Sequence, residues 1–433
     1  MRPIRTSVPI VRLFFIVVAV WVCVTPSGGI AEPIRVVTYN ILADSGGYTT
    51  PRPGFFTVMQ GLGNENVNGL ARPVDILGLQ ETTSNPTTVQ PIVTGLNNIY
   101  GAGTYAMSPY QATQSGSPSS GNGPNAMIYK ATALQLIASV GIGTPSSSGA
   151  PRQPVRYQFR PVGGSASDDF YVYVSHMKAG TGSSNENRRN IEAQMLRADA
   201  ATLSANARIL YTGDFNLTRS SEAAFQTLTA AGQGQSFDPV NRPGDWDTNP
   251  AFIDVMSYGS TSLRYRDDFE MITANVQSDP SGLQYIAGSY HTFAINGSTP
   301  LYGTVNSPTN TAFPDLPDRA AVLAALTTAS DHLPVVADYM LPGGGQAPTI
   351  TGQPTNQTAC SGGSAGFTVT ATGSPAPTYQ WRRGTANLVN GGNISGATTA
   401  TLTINPVGTG DAATDYNCVV TNSSGSVTSN NAS

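Results

Sequence analysis

A series of short apolar runs, each bordered by polar residues, constrains the fold of this 433-residue chain more than any other feature. The runs are rich in β-branched and aromatic side chains, which favour strands, and they cover residues 34–39, 74–79, 170–174, 209–211, 269–273 and 333–339. The polar residues that follow the first four runs are Asn40, Glu81, His176, Asp214 and Asn216. The last two runs instead follow polar residues, namely Asp268 and the pair Asp331 and His332. If all these residues converge, the last two strands run opposite to the others, which predicts mixed sheets.

One helix is predicted between about residue 185 and about residue 204. Asn185 is the candidate cap, and the apolar side chains at helical spacing are Ile191, Met195, Leu196 and Leu203. Such a stripe predicts that one face of this helix packs against the strands.

The composition of the chain changes near residue 341. Residues 341–346 read Leu-Pro-Gly-Gly-Gly-Gln, which is typical of a linker, and the residues after it are mainly Thr, Ser, Asn, Gly and Val. We therefore predict an α/β domain over residues 32–340, a linker over 341–346 and an all-β module over 347–433. Only 11 % of the residues are charged, which excludes a coiled coil.

The N-terminus has the pattern of an export signal over residues 1–31. Arg2, Arg5 and Arg12 precede an apolar run at 13–24, and small residues follow at Gly29 and Ala31. The alternative is a membrane anchor, but the run is shorter than the roughly 20 residues that span a bilayer. We expect cleavage after Ala31, no integral membrane segment in the mature chain, and a secreted, periplasmic or cell-surface location.

The charge balance bears on partners. The chain carries 22 Lys and Arg against 26 Asp and Glu, a formal net charge of −4. It therefore lacks the basic surface of a tight, passive DNA-binding protein. It could still process DNA if a divalent metal supplied positive charge at the phosphate.

The polar segments resemble the endonuclease/exonuclease/phosphatase superfamily, which has the deoxyribonuclease I-like fold. The segments that carry the resemblance occur in the family's order and are Tyr39-Asn40, Leu79-Gln80-Glu81-Thr82, Ser175-His176, Gly213-Asp214-Phe215-Asn216, Arg266-Asp267-Asp268-Phe269 and Ser330-Asp331-His332. The resemblance implies an α/β four-layer sandwich, in which two packed mixed β-sheets are flanked by helices. It also implies an enzyme that hydrolyses phosphodiester bonds.

The resemblance further implies a metal site. Glu81 is the expected ligand of Mg²⁺ (or of Mn²⁺ or Ca²⁺), because hard cations prefer carboxylate and water oxygens. Asn40 would help to hold the metal or its waters, and Asp331 would be a further carboxylate of the site.

The resemblance assigns catalytic roles to five residues. Asp214 would orient or deprotonate the attacking water, and Asn216 would hold the phosphate or that water. His332 would be a general base or contact the phosphate, since its pKa suits either role. Asp268 would orient His332, and its neighbour Asp267 fits the motif less well. His176 would hydrogen-bond a phosphate oxygen or assist the leaving group. The sequence leaves the division of labour between Asp214 and His332 open.

The substrate is less constrained than the reaction. The segment 287–319 carries Tyr290, Phe293, Tyr302 and Phe313, which could stack on bases, contact lipid or close the edge of a sheet. Their scattered positions favour a nuclease over a sphingomyelinase-like phospholipid phosphodiesterase, so nucleic acid is the expected substrate. A third reading is a non-catalytic adhesion or binding protein, which the intact set of polar residues disfavours. His291 lies outside the motifs and is expected on a loop or strand surface.

The C-terminal module resembles an immunoglobulin-like domain. Trp381 corresponds to the buried core tryptophan, and Tyr416 to the corner tyrosine two residues before a cysteine, here Cys418. Ala371 stands where the first sheet-bridging cysteine is expected. We expect Cys360 and Cys418 to pair, because export favours oxidation and the mature chain holds just these two. The module is expected to bind a surface or a polysaccharide.

Overall fold

The computed structural model describes residues 32–43, 51–109, 123–143, 152–342, 346–374, 377–422 and 425–433. The predicted signal peptide and residues 343–345 of the predicted linker lie outside these ranges. Within them, none of the helices combines the length and apolarity that a bilayer span requires.

The region up to residue 340 contains both strands and helices. The strands are β1 Pro33–Asn40, β2 Asn66–Val67, β3 Leu70–Ala71, β4 Ile76–Gln80, β5 Tyr105–Met107, β6 Ala126–Lys130, β7 Leu134–Gly141, β8 Val155–Pro161, β9 Phe170–His176, β10 Ile209–Asp214, β11 Ser236–Phe237, β12 Asp268–Thr273, β13 Gln284–Tyr285, β14 His291–Thr292 and β15 Val335–Met340. The α-helices are α1 Phe55–Asn64, α2 Gln90–Tyr100, α3 Ser183–Ala200, α4 Ala223–Thr229, α5 Ala274–Ser278 and α6 Arg319–Ala329. Short helical turns of other types cover Asn85–Val89, Ala166–Asp168 and Pro250–Val255.

The long strands form two mixed sheets. The first has the order β13-β15-β1-β4-β6-β5, with β14 also paired to β15, and the second has the order β11-β12-β10-β9-β8-β7. β1 pairs parallel to β4 and β9 pairs parallel to β10. β15 runs antiparallel to β1, and β12 antiparallel to β10, so both strands preceded by polar residues run opposite to their neighbours, as the sequence predicted.

Both faces of each sheet are covered, which gives four layers. Successive side chains of a strand point to opposite faces, so Val36 of β1 packs between the sheets against residues such as Val174 and Leu210. Its neighbour Val37 points to the other face of the sheet, where it packs in a cluster of buried apolar side chains that includes residues of α1, α2 and α6. On the other side, Leu196 of α3 and side chains of α4 cover the second sheet. The predicted four-layer α/β sandwich is confirmed.

The α3 helix differs from its prediction at the start and in its buried face. Gly182 occupies the cap position without a side-chain hydrogen bond, and Asn185 lies in the first turn, where its Nδ2 donates to Thr181 O at 3.0 Å. Ile191 is 39 % exposed, whereas Ala193 and Ala200 are buried. Of the predicted stripe, Leu196 is fully buried and Met195 and Leu203 pack against the same core, so Ile191 alone was placed on the wrong face.

A buried carboxyl lies between the sheets. Glu270 of β12 is fully buried and accepts a 2.6 Å hydrogen bond from the Tyr339 hydroxyl of β15. Burial raises the pKa of Glu270 well above its ordinary value of 4.5, so the folded protein retains this proton to a higher pH than the unfolded chain does.

Glu270→Gln is expected to remove a pH-dependent loss of stability. Above about pH 4.5 the unfolded wild type releases this proton while the folded protein retains it, so the free energy of unfolding falls by up to about 1.4 kcal/mol per pH unit relative to the variant. The fall continues until pH reaches the raised folded pKa. Denaturant unfolding of the wild type and the variant at pH 5 and pH 7 measures this fall in the free energy of unfolding. If the free energy of unfolding changed equally with pH in both proteins, the raised pKa of Glu270 would be contradicted.

The C-terminal module is all-β. Its strands are β16 Gln346–Gly352, β17 Ala365–Thr368, β18 Thr370–Ser374, β19 Thr378–Arg383, β20 Ala386–Asn387, β21 Ile394–Ser395, β22 Thr401–Ile404, β23 Tyr416–Asn422 and β24 Gly425–Thr428, with a 3₁₀ turn at Thr409–Asp411. Trp381 is fully buried, and the Tyr416 hydroxyl donates to Asp411 O at 2.8 Å, as expected of a corner tyrosine. The first of these strands begins at Gln346, the last residue of the predicted linker.

The predicted Cys360–Cys418 disulfide is wrong for this structure. Both cysteines are free, because Cys418 points into the module's core while Cys360 lies in an exposed segment. Burial raises the pKa of Cys418 to about 11, so it forms little thiolate near neutral pH. Alkylation of the folded protein is therefore expected to label Cys360 alone, and denaturation should add the second label. If neither cysteine were labelled in the denatured protein without a reductant, the two cysteines would be paired after all.

Candidate active site

The polar residues meet at one edge of the two sheets. Parallel strands present their carboxyl ends there, and the antiparallel strands β12 and β15 present their starts. A pocket of about 450 Å³ opens at this edge. Six of the eight predicted residues line it, namely Glu81, His176, Asp214, Asn216, Asp331 and His332. The other two, Asn40 and Asp268, are fully buried and contact the lining residues.

Asn40 joins two carboxylates. Its Nδ2 donates to Glu81 Oε1 and to Asp214 Oδ2, both at 3.0 Å, while its Oδ1 accepts from the backbone N–H of Leu42. The end of β1 therefore holds the ends of β4 and β10 together across the two sheets. Glu81 is 9 % exposed and Asp214 is 2 % exposed, so both acids lie at the floor of the pocket.

Unusual backbone conformations aim these side chains. Glu81 has φ 56° and Asn216 has φ 50°, a left-handed region that costs non-glycine residues of order 1–3 kcal/mol. At Gly213, which has φ 137°, a Cβ would lie 1.9 Å from Ser175 O. Only glycine lets β10 approach β9 this closely, directly before Asp214.

His332 and Asp268 form a buried dyad. His332 Nδ1 lies 2.7 Å from Asp268 Oδ2, and its Nε2 points toward Asp214, with 3.8 Å to Oδ2. Burial alone would lower the pKa of His332, but the Asp268 and Asp214 carboxylates raise it well above 6.5. Burial raises the pKa of Asp214 to about 8, although His332 opposes that shift. A histidine and a carboxyl, each with a raised pKa, thus face each other in a geometry that suits the exchange of a proton between them.

His176 is held neutral. Its Nε2 lies 3.4 Å from Asp214 Oδ2 and 3.8 Å from Glu81 Oε1. Burial, together with the positive charges of Arg152 and His332, lowers the pKa of His176 well below 6.5. Its Nδ1 is buried and has no hydrogen-bond partner among the residues that the structure describes.

Asn216 donates hydrogen bonds to Asp214 from both its side chain and its backbone. Its Nδ2 donates to Asp214 Oδ1 at 2.7 Å and to Met177 O at 3.2 Å, and its backbone N–H also donates to Asp214 Oδ1. In this arrangement Asn216 fixes the orientation of the Asp214 carboxylate, so its contribution is to position that group.

The donor set fits a hard divalent cation. Glu81, His176 and Asp214 offer ligand atoms that all lie within 4.8 Å of one another, and Asp214, Asp268 and His332 do the same. Two buried carboxylates held side by side at one pocket repel each other unless a cation or proton intervenes, and oxygen donors suit Mg²⁺, Mn²⁺ or Ca²⁺. Asp331 lines the same pocket but belongs to neither group.

Four polar or aromatic residues of the pocket were not singled out from the sequence, namely Arg152, Tyr258, Arg264 and Tyr265, and Asp267, which the sequence ranked behind Asp268, also lines the pocket. Arg152 Nη1 donates to His176 O and Met177 O, at 3.3 and 2.7 Å. The sequence around Arg152 has neither strand nor helix periodicity, so it gave no signal for this residue. Burial raises the pKa of Asp267 to about 7. The Arg264-Tyr265 pair lies directly before the Arg266-Asp267-Asp268-Phe269 segment, and that adjacency was the available signal.

The aromatic segment singled out from the sequence does not line this pocket. Tyr290 is 5 % exposed and Phe293 is fully buried in the core, while Tyr302 is exposed elsewhere. His291 also lies outside the pocket, as predicted. It lies in the short β14 strand, with its Nε2 2.6 Å from Glu65 Oε1, so it is held by an ion pair rather than free on a surface.

Two family models match different parts of the chain. The model of the Endonuclease/Exonuclease/phosphatase family matches residues 37–334. The chain belongs to this family. Its enzymes hydrolyse phosphodiester or phosphate bonds and generally depend on divalent metals. A second family model, the immunoglobulin domain, matches residues 347–422.

Solved structures of the endonuclease/exonuclease/phosphatase fold resemble the chain at low identity. The human Nocturnin catalytic domain with bound sulfate anion is 18 % identical, with 72 % of this chain and 96 % of that chain covered and a TM-score of 0.45. TDP2 from D. rerio, complexed with a single strand DNA product, is 12 % identical, with coverages of 71 % and 99 % and a TM-score of 0.42. A family protein from Bacteroides vulgatus is 16 % identical, with coverages of 72 % and 99 % and a TM-score of 0.41.

One curated protein shares a shorter region. Endoglucanase C from Cellulomonas fimi is 40 % identical over 87 residues, which are 19 % of this chain and 7 % of the endoglucanase. The match thus spans a small fraction of that relative's length.

Proposed function

We propose that this chain is an exported, divalent-metal-dependent phosphodiester hydrolase that cleaves nucleic acid. The observation that carries the proposal is the buried His332–Asp268 dyad at 2.7 Å, facing Asp214 in the pocket where Asn40 joins Asp214 to Glu81. A proton-transfer pair and a cation-binding pair of carboxylates therefore share one pocket. That combination is what phosphodiester hydrolysis requires.

The chain's residues divide into three tasks. Glu81 would hold the metal, helped by Asn40 and with Asp331 at the pocket wall. When bound, a divalent cation neutralises charge on the phosphoryl oxygens. Asp214, held by Asn216, accepts the proton of the attacking water, and His332 exchanges protons beside it while Asp268 fixes the imidazole. His176, neutral and next to both carboxylates, donates a hydrogen bond to a phosphate oxygen or to the leaving oxygen.

The test is an assay of the mature protein on DNA, RNA, sphingomyelin and a chromogenic phosphodiester. Each reaction is run with Mg²⁺, Mn²⁺ or Ca²⁺ and again with excess EDTA. We expect cleavage of nucleic acid that EDTA abolishes. Cleavage of sphingomyelin alone would support the lipid alternative, no turnover would support a binding protein, and full activity in EDTA would overturn metal dependence.

We also propose that the C-terminal module attaches the exported enzyme to a surface or a polysaccharide. The support is the export pattern at residues 1–31 and the likeness to a segment of an endoglucanase. The mature chain should begin at Glu32. It should sediment with insoluble polysaccharide, whereas a chain ending at Met340 should stay in solution and keep its turnover on soluble substrate. Equal sedimentation of both chains would contradict this role.

A further inference from the structure

Two tyrosines and an arginine form a flat stack at the wall of the catalytic pocket. The rings of Tyr258 and Tyr265 lie 5.5 Å apart with an interplanar angle of 18°. Arg264 Cζ lies 5.2 Å from the centre of the first ring and 5.4 Å from that of the second. All three residues line the pocket beside Asp331 and His332. We call Tyr258, Arg264 and Tyr265 the Tyr-Arg-Tyr stack.

The stack is fixed to the catalytic dyad. The ring of Tyr258 meets the imidazole of His332 edge to face, with centres 4.9 Å apart. The backbone N–H of Tyr258 donates to Tyr265 O at 3.0 Å, and that of Arg264 donates to Tyr258 O at 3.1 Å. At the turn between them, the N–H groups of Gly259 and Ser260 donate to Asp331 O. The stack is therefore ordered before any substrate arrives, which lowers the entropic cost of binding.

The Tyr-Arg-Tyr stack carries the positive charge of Arg264, which can interact with a bound ligand. Arg264 forms no ion pair with a carboxylate in the part of the chain that the structure describes, and its buried Nε has no hydrogen-bond partner there. The opposite side of the pocket carries the acids Glu81 and Asp214. One pocket thus combines an acidic floor, suited to a cation, with a cationic aromatic wall, suited to a flat group next to a phosphate.

We propose that the Tyr-Arg-Tyr stack is the subsite for the nucleobase adjacent to the scissile phosphate. This inference rests on the proposed function and extends it, because it assigns the residues that select a nucleotide over other phosphodiesters. Bases stack on tyrosine rings and on guanidinium planes. Arg264 adds attraction for the phosphate chain that carries the base.

The same geometry disfavours a choline head group. Aromatic cages bind quaternary ammonium groups through the faces of their rings. Here the guanidinium of Arg264 already lies over both rings, so it would repel a second cation. The wall of the pocket therefore favours a base over the head group of sphingomyelin.

The test compares the binding of three phosphate monoesters to the mature full-length protein by calorimetry in Mg²⁺. The probes are thymidine 5′-monophosphate, 2-deoxyribose 5-phosphate, which lacks the base, and phosphocholine. Stacking by one base is worth enough that the nucleotide should bind about tenfold or more tightly than the sugar phosphate. Equal affinities for these two probes, or tighter binding of phosphocholine, would overturn the subsite.

Variants assign the preference to the stack. Tyr265→Leu should bring the two affinities together while leaving that for the sugar phosphate within about threefold. Arg264→Gln should weaken the binding of both probes, because it removes a charge that attracts phosphate, and should weaken the nucleotide more, so that the preference for the nucleotide falls. Tyr265→Phe, which keeps the ring, should retain the preference. Tyr302→Ala removes an exposed tyrosine outside the pocket and is the matched control. Arg264→Gln serves as the test if the leucine variant does not fold, and an unchanged preference in either folded variant would contradict the proposal.

Failure of the subsite is distinguishable from failure of the proposed function. A protein that binds the nucleotide through the stack but hydrolyses no phosphodiester would overturn the function alone. A protein that cleaves DNA in a metal-dependent way, yet binds thymidine 5′-monophosphate and 2-deoxyribose 5-phosphate with equal affinity, would overturn the subsite alone.

Discussion

Replacing Asp214 by asparagine is expected to lower kcat by about 10²–10⁴-fold at saturating Mg²⁺, because the variant keeps the shape of the side chain but cannot accept a proton. Asp214 lies next to four other site residues. Its two oxygens contact Asn40 and Asn216, and both His176 and His332 point their Nε2 atoms at Oδ2. Steady-state kinetics on a nucleic-acid or chromogenic substrate measure the loss.

Two other variants make the Asp214 result specific. Glu81→Gln removes a ligand charge but no proton acceptor, so it should raise the Mg²⁺ concentration required and recover most of its turnover at saturation. Asp254→Asn removes an exposed carboxylate, paired with Arg242 outside the pocket, and should be near neutral. Full activity of Asp214→Asn at saturating metal would refute its role in proton transfer.

Replacing His332 by alanine should produce a loss of similar size, about 10²–10⁴-fold in kcat. The imidazole is the group that connects the Asp268 carboxylate, at 2.7 Å, with the pocket. Asp268→Asn should be milder, since the ring remains but is poorly oriented and its protonated form loses a charged partner. Turnover of the two variants at saturating metal measures the difference.

The dyad prediction has its own control. His291→Ala removes the histidine that lies outside the pocket, so kcat should change little. Its ion pair with the largely buried Glu65 means that stability, measured by thermal unfolding, should fall. If His332→Ala and His291→Ala had the same kcat, the dyad would have no part in catalysis. If Asp268→Asn were as damaging as His332→Ala, Asp268 would do more than orient the ring.

The sequence located the strands and their polar ends well. Strand patterns are local, because alternation and β-branching follow from which faces are buried. The side on which polar residues flank each run then implied the opposite direction of β12 and β15. These local patterns were sufficient for the layered architecture, and the motif order was sufficient for the family.

The chain's own sequence did not predict which polar groups touch. Asn40 and Asp214 are separated by 174 residues, and His332 and Asp268 by 64, so their contacts depend on how the sheets pack. The same holds for Asn216, which turned out to hold Asp214, and for Asp331, which lines the pocket outside both metal-ligand groups. Resemblance supplied roles for these residues, and only the packed sheets supplied their distances and pKa shifts.

The sequence by itself determined the apolar runs, the change of composition at residue 341 and the polar residues at the strand ends. Only the tertiary structure decided that Ile191 faces solvent, that Cys418 is enclosed away from Cys360, and that Tyr258 and Tyr265, not the aromatics at 287–319, line the pocket. The physical reason is that periodicity is a property of neighbours along the chain. Burial, electrostatic coupling and the composition of a pocket wall depend instead on contacts between segments that are distant in sequence.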